Sequence, residues 1–284
     1  MPADLLAAAG GLLAAASWGA GDFGGGLATK RLPVFIALLG AQVVGLLGAL
    51  LAAFLLGETV PAPADAMWAV AAAVFGSLGL AGLYRALADG RMGIVAPITG
   101  VLTAAIPVAV GIATAGLPTP VRLAGFGLAI VAIVLVSLAD DGTTGRDGIL
   151  LAIGAGVAFG LYGTCVGQVQ EGVFAPLVVS RATSSALVLL IVLAGRTPIR
   201  GSFRGSSRLL GLVVLVGLLD LAGNASFLVA AQAGGLALAA VLGSLYPVAT
   251  VVLAAAVLGE SIGRVHAAGI ALAAFAAILI VGGG

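Results

Sequence analysis

The chain has 284 residues, 62% of them hydrophobic and 8% charged, with a formal net charge of +1 and a mean hydropathy of +1.27. Soluble domains carry about 25% charged residues, so there is too little charge here to cover a water-facing surface, and the outer surface must meet lipid. The near-neutral balance argues against a nucleic-acid partner. The single cysteine, Cys165, excludes a disulfide framework, and the 45 glycines lack the three-residue period of collagen.

A hydrocarbon core about 30 Å thick takes about 20 apolar residues in helical form. Apolar runs between charge and proline clusters predict ten such helices, over 4–27, 33–56, 66–88, 93–115, 120–139, 148–169, 174–194, 208–230, 235–258 and 264–281. The first carries Asp4 and no basic residue ahead of its apolar stretch, so it reads as a retained span rather than a cleaved leader. Lys30-Arg31-Leu32-Pro33 ends the first span, and Gly57-Glu58-Thr59-Val60-Pro61-Ala62-Pro63 ends the second. The run from Asp140 to Asp147 is the most polar stretch and falls at the midpoint. The spans are uniformly apolar rather than alternating, which argues against a membrane barrel.

The halves repeat weakly. Ser17-Trp18-Gly19-Ala20-Gly21 aligns with Ala158-Phe159-Gly160-Leu161-Tyr162, Ile106-Pro107-Val108-Ala109 with Tyr246-Pro247-Val248-Ala249, and Gly125 with Gly269 after a short insertion. This predicts an all-α integral membrane protein of ten transmembrane helices, built as two five-helix repeats over 4–139 and 148–281. Five is odd, so the repeats are expected to be inverted, the arrangement of secondary transporters with a substrate site between repeats. Loops after odd-numbered spans carry Lys30, Arg31, Arg85, Arg91, Arg146, Arg196, Arg200, Arg204, Arg208 and Arg264, and those after even-numbered spans only Arg122. The bias puts the odd loops in the cytoplasm and both termini outside.

Trp18-Gly19, then Tyr84-Arg85-Ala86-Leu87 leading to Pro107, then Gly243-Ser244-Leu245-Tyr246-Pro247-Val248, Leu258-Gly259-Glu260 and Gly269-Ile270-Ala271-Leu272 form an ordered set of motifs. Over nearly its whole length the chain resembles the EamA family of the drug/metabolite transporter superfamily. The resemblance implies a 5+5 inverted-repeat fold, export or exchange of small metabolites, and a place for Tyr84 among the substrate-facing residues. Ala115-Gly116-Leu117-Pro118 stands where the family usually has Gly-Glu. The family typically keeps both termini in the cytoplasm, against the charge count here.

A charge at the bilayer centre costs about 2.5–3.5 kcal/mol on insertion scales. Asp22, Arg181 and Asp220 fall inside predicted spans and are the first candidates. Asp22 shares a helix face with Trp18, four residues earlier. It either lines a cavity as a proton or amine site or snorkels toward Lys30 and Arg31. Asp220 shares a face with Asn224 and Phe227, as a functional carboxylate or as helix–helix glue. Arg181 is a site for an anionic group or the structural counter-charge of an aspartate. Thr99 and Thr103 precede Pro107 at four-residue spacing, and Ser244 and Tyr246 flank Pro247. Both sets offer hydroxyls and a freed carbonyl to a substrate, or serve as packing. Tyr162, Cys165 and Gln168 read as packing, Glu260 and Arg264 as a solvated pair or cap, and His266 as interfacial.

No metal constellation, nucleophile–base pair or nucleotide-binding loop is present in the sequence, and no cofactor is expected. The expected partners are a small-molecule substrate and the bilayer of the cell membrane; a monomer suffices, and the oligomeric state stays open. The leading reading is an ion- or exchange-coupled transporter, an exporter working by alternating access around a cavity lined by spans one, three, four, six, eight and nine. The alternatives are a membrane-embedded enzyme acting on a lipid-linked substrate and a scaffold or receptor subunit without flux.

Overall fold

The computed structural model describes residues 3–89, 92–137, 146–195, 207–259 and 262–283, with side chains at all of these except 84–89, 92–97, 137, 146 and 147. The described residues form helices joined by short turns. They are α1 (Ala3–Thr29), α2 (Val34–Leu56), α3 (Pro63–Asp89), α4 (Met92–Ala115), α5 (Pro120–Ser137), α6 (Arg146–Val166), α7 (Phe174–Ala194), α8 (Ser207–Gly234), α9 (Leu236–Gly243), α10 (Tyr246–Leu258) and α11 (Arg264–Gly282). Nine stretches are long and apolar enough to cross a membrane, and α5 is a shorter apolar helix. The chain is a multi-pass, all-helical membrane protein, as its composition requires.

One predicted span is not a single helix. The run 235–258 breaks at Ser244 and Leu245 into α9 and α10. Pro247 has no N–H to give to the carbonyl of Gly243, and the Ser244 hydroxyl instead donates to the Val241 carbonyl at 2.8 Å. The predicted first residues of spans two and seven hold closely. Gly57 and Gly259, both at positive φ, end α2 and α10 with left-handed caps.

Leucine against leucine gains little in lipid, so membrane helices meet where small residues let backbones touch. A Cβ at Gly19 would meet the Tyr246 carbonyl and lie 2.6 Å from Ala249 Cβ, pinning α1 to α10. At the aligned position in the second half, a Cβ at Gly160 would lie 2.8 Å from Ile106 Cβ, pinning α6 to α4. A Cβ at Gly125 on α5 would lie 2.7 Å from Ile280 Cγ1 on α11. One at Gly269 on α11 would lie 2.7 Å from Val136 Cγ2 on α5. Larger pairings follow the same exchange: α1 packs on α8 and α6 on α3, α2 on α8 and α7 on α3, α1 on α9 and α10 and α6 on α4.

Gly19→Val should lower stability by about 1–3 kcal/mol, because its neighbours are backbone and cannot move aside. Gly26→Ala meets nothing within 4 Å and should be neutral or slightly stabilising. Thermal unfolding of the purified protein in detergent reads both.

Candidate functional site

The site is built on α1 and α8, which run antiparallel and touch along their length through glycines. A Cβ at Gly10 would lie 2.8 Å from the Ser226 carbonyl, and one at Gly24 would lie 2.9 Å from Val216 Cγ2. Close approach brings Trp18 against Asn224. The indole Nε1 donates to Asn224 Oδ1 at 2.9 Å, and the Tyr162 hydroxyl from α6 donates to the same oxygen at 2.8 Å. One buried amide oxygen therefore joins α1, α6 and α8. Glycine at 223 makes this possible, since a Cβ there would lie 2.6 Å from the indole nitrogen. Across the ring, a Cβ at Gly243 on α9 would lie 3.1 Å from Trp18 Cζ3. Phe227 completes the cluster, its ring centroid 5.5 Å from that of Trp18 at a tilt of 39°.

One turn along α8 from Asn224 is the charged part. Arg181 on α7, 3% exposed, forms an ion pair with Asp220 and donates from Nη1 to Gln42 Oε1 on α2 at 2.6 Å. Gly45 on α2 leaves room for the guanidinium, since a Cβ there would lie 3.4 Å from Arg181 Nε. Arg181 Nη2 and Ser185 Oγ are buried without a partner among the described residues. Tyr162 lies within electrostatic range of both Arg181 and Asp220. Trp18, Asn224 and Tyr162 form one hydrogen-bonded group and Arg181, Asp220 and Gln42 a second, one turn apart along α8, and together they make the polar seam.

Asp22 lies one helical turn from Trp18 on the same face of α1. Its neighbour Gly21 faces α8, and Gly19 faces α10, so the carboxylate points between those two helices. It is exposed, and among the described residues it makes no ion pair or hydrogen bond. Asp220 and Tyr246 lie within its electrostatic range. The described residues show no pairing of Asp22 with Lys30 or Arg31.

The hydroxyls of α4 and of the α9–α10 break are engaged in packing. Thr99, 1% exposed, donates to the Ala152 carbonyl of α6 at 3.2 Å, and Thr103 donates to the Thr99 carbonyl at 2.8 Å. Ser244 is turned back on Val241. Tyr246 is half-buried beside α1. The Tyr84 side chain and residue 260 lie outside the described set. Cys165 is buried in the apolar cluster with Phe227 and Leu228. Sequence reasoning missed Gln42 and undervalued Tyr162. A glutamine within an apolar run was the available signal for the first, since buried polar groups in lipid need partners.

Toward the end bearing the chain termini α4 and α6 pack on α9, beside an apolar cavity of about 350 Å³ whose lining includes Leu6, Leu13, Leu56, Val173, Phe174 and Val229. There a Cβ at Gly111 on α4 would lie 2.9 Å from Ala237 Cβ on α9, and one at Gly167 would lie 2.7 Å from Leu236 Cδ1. The loop before α7 is held shut by two carboxylates. Asp65 accepts the N–H groups of Gln170 (2.9 Å) and Glu171 (3.3 Å), and Glu58 accepts those of Val173 (3.2 Å) and Ala175 (2.7 Å). Residues 238–243 of α9 are all buried, whereas α10 has no buried residue.

Removing one partner of the buried ion pair strands the other. Asp220→Ala should cost about 3–5 kcal/mol, and Arg181→Met combined with Asp220→Leu should recover most of that loss. Unfolding curves of the wild type and the two variants in one detergent test this; equal destabilisation by the single and double changes would show that the pair does not govern stability.

Residues 146–282 match the model of the EamA-like transporter family. A solved crystal structure, described only as that of a protein, superposes with a TM-score of 0.76 at 18% identity, covering 96% of this chain and 95% of that one; at such identity the likeness concerns the fold alone. No curated protein matches the sequence. The match covers the second half of the chain, which carries Asn224, Asp220, Arg181 and the Pro247 break, and that half is similar to the EamA-like transporter family.

Proposed function

We propose that this protein is a secondary transporter, an exporter of a small metabolite or drug-like solute, working by alternating access between two inverted five-helix repeats at 4–139 and 148–281. The observation that carries the reading is the polar seam, in which Trp18 of the first half and Tyr162 of the second meet on the buried Asn224. The match of residues 146–282 to the EamA-like transporter family supports the transporter class. The reciprocal contacts of Gly125 with Ile280 and of Gly269 with Val136 support the repeat. Each contact repeats with the halves exchanged, as a two-fold relation demands, and α5 and α11 run antiparallel where they meet. A two-fold that reverses helix direction lies in the membrane plane.

In this mechanism a solute enters from the end away from the chain termini, between α4 and α10, and reaches the level of Trp18 and Asn224. Closure there and release of the α4–α9 contact at the other end complete the exchange. The basic residues after odd-numbered spans favour the cytoplasm for the entry end, where an exporter takes up its cargo. Asp220 and Arg181 keep α2, α7 and α8 together while leaving a carboxylate edge, 36% exposed, toward the seam. Coupling is to an ion or substrate gradient. Trp18, Tyr162, Asn224, Tyr246 and Asp22 contact the solute; Thr99, Thr103 and Ser244 hold the walls, and Tyr84 belongs to the same wall by family resemblance.

The test is flux into liposomes containing the purified protein, across a panel of amino acids, sugars and cationic drugs, with and without a pH gradient. At least one solute should move faster than in empty liposomes, and Asn224→Ala, which frees both Trp18 and Tyr162, should lower that rate by about tenfold or more while leaving the amount of folded protein in the membrane near wild type. A panel in which nothing moves faster than the empty-liposome leak overturns the reading.

A further inference from the structure

We infer that the apolar cavity beside α1 is a binding site for one acyl chain of a membrane phospholipid, and that the bound chain braces the contact between the halves at that end. The inference stands apart from the transporter reading and needs only the bilayer. The cavity follows from how the helices pair. Both α1 and α2 lean on α8 but barely touch each other, so a gap remains between them with α8 as its floor. Small residues keep the floor low: Ala225 and Ser226 on α8, with Ala9 and Gly10 of α1 beside them. Leu6 and Leu13 of α1 form one wall, and Leu56 of α2 and Phe174 of α7 the other. The space measures about 350 Å³, within the range of small-ligand sites, about 300–1,000 Å³.

The lining selects hydrocarbon. A water molecule needs two to four polar partners to settle in a cavity. The polar lining residues are Ser226 and Glu58, and the Glu58 carboxylate already accepts the N–H groups of Val173 and Ala175. Those groups lie at the positive end of the α7 dipole, which offsets the carboxylate's charge, so an ionic ligand finds little to hold it. The walls run on into the lipid-facing surface, with Leu13 56% and Leu56 66% exposed. From Leu6 to Leu13 α1 rises about 10 Å, less than half of a hydrocarbon core about 30 Å thick, so the cavity opens sideways into one leaflet. The polar seam is on the other side of the α1–α8 contact. A Cβ at Gly10 would lie 2.8 Å from the Ser226 carbonyl, and Asn224, two residues before Ser226, faces away from the cavity around α8. A chain seated here touches both halves at once: Leu56 and Glu58 belong to the first, Val173 and Phe174 to the second. It keeps water from the Glu58 hydrogen bonds that tie them, and such bonds are stronger in a low dielectric.

The probe is dimyristoylphosphatidylcholine, added to protein purified in a steroid-based detergent that has no alkyl chain of its own. Glycerophosphocholine, the same headgroup without chains, is the comparison. Native mass spectrometry should show one lipid held about tenfold or more tighter than the next, and no glycerophosphocholine. Ala9→Phe, at an exposed wall position, puts a ring into the cavity and should weaken the first lipid about tenfold or more with an unchanged gel-filtration profile. Ala225→Leu fills the cavity from its floor and should act alike, which keeps the test decisive if either variant folds poorly. Leu12→Phe, exposed on α1 outside the cavity lining, should bind the lipid as the wild type does. Hydrogen exchange at the Val173 and Ala175 amides should slow when lipid is added to the wild type and stay unchanged in Ala9→Phe. Graded binding with no tight first lipid overturns the site, as does full affinity in both cavity-filling variants. A protein dimer that those variants abolish, in place of a lipid adduct, overturns it too and makes this face a contact between copies of the chain. Unaltered amide exchange with lipid bound overturns the bracing.

Discussion

Helices bathed in lipid gain nothing from burying leucine against leucine, so this chain holds its spans together where backbones can touch. The contact of Gly19 with the Tyr246 carbonyl is the clearest case. It sets the distance between α1 and the broken span, and with that distance the position of Trp18 and Asp22 relative to Tyr246. Gly223 and Gly243 do the same for the indole itself, from α8 and α9. A side chain at either would push Trp18 off Asn224, and Asn224 would then hold only Tyr162. The polar seam is therefore a consequence of glycine packing, and the abundance of glycine in this sequence is its structural precondition.

Within the seam, each polar group answers to a cost. An amide oxygen buried among apolar neighbours needs donors, and Asn224 takes two, from opposite halves of the chain. A buried guanidinium needs a carboxylate, and Asp220 supplies it from the next helix. Gln42 adds an acceptor from α2. Gln42 and Arg181 occupy corresponding places on the second helix of each half and bond to each other. Contact between corresponding residues is what a two-fold axis produces where it passes between them, so the proposed axis runs close to this pair. Identical residues on that axis would have placed two like groups face to face. Glutamine opposite arginine avoids repulsion between like charges.

The sequence made the fold legible because lipid exposure is a whole-chain property: low charge and apolar runs of membrane length need no knowledge of packing. The proposed repeat rests on Gly19 and Gly160 and on Gly125 and Gly269, positions where only a missing side chain allows the observed contact. The candidate site was legible where chemistry conflicts with hydrocarbon, at Asp22, Arg181 and Asp220. What could not be read was who pairs with whom. Thr99 and Ser244 have the same hydroxyl whether they face a solute or the carbonyl of Ala152 or Val241. Tyr162 looked like packing because its partner, Asn224, lies on α8, 62 residues along the chain. Partner choice depends on the azimuth and depth of two helices at once, which a single helical wheel does not contain.

The fourth and ninth spans show how nearly equal sequences part ways. Pro107 and Pro247 are aligned, yet α4 runs unbroken through Pro107 while the ninth span divides before Pro247. Four residues before each proline the chain differs: Thr103 in one, Gly243 in the other. Thr103 returns its hydroxyl to the Thr99 carbonyl and stays helical. Gly243 has no side chain to restrain it, and the next residue, Ser244, finds its own bond to Val241. The bend lets α9 press on α4 at Gly111 while α10 stands away. Two strictly equivalent spans would pack alike toward both ends, and the proline with a glycine ahead of it supplies the inequality between α4 and the ninth span.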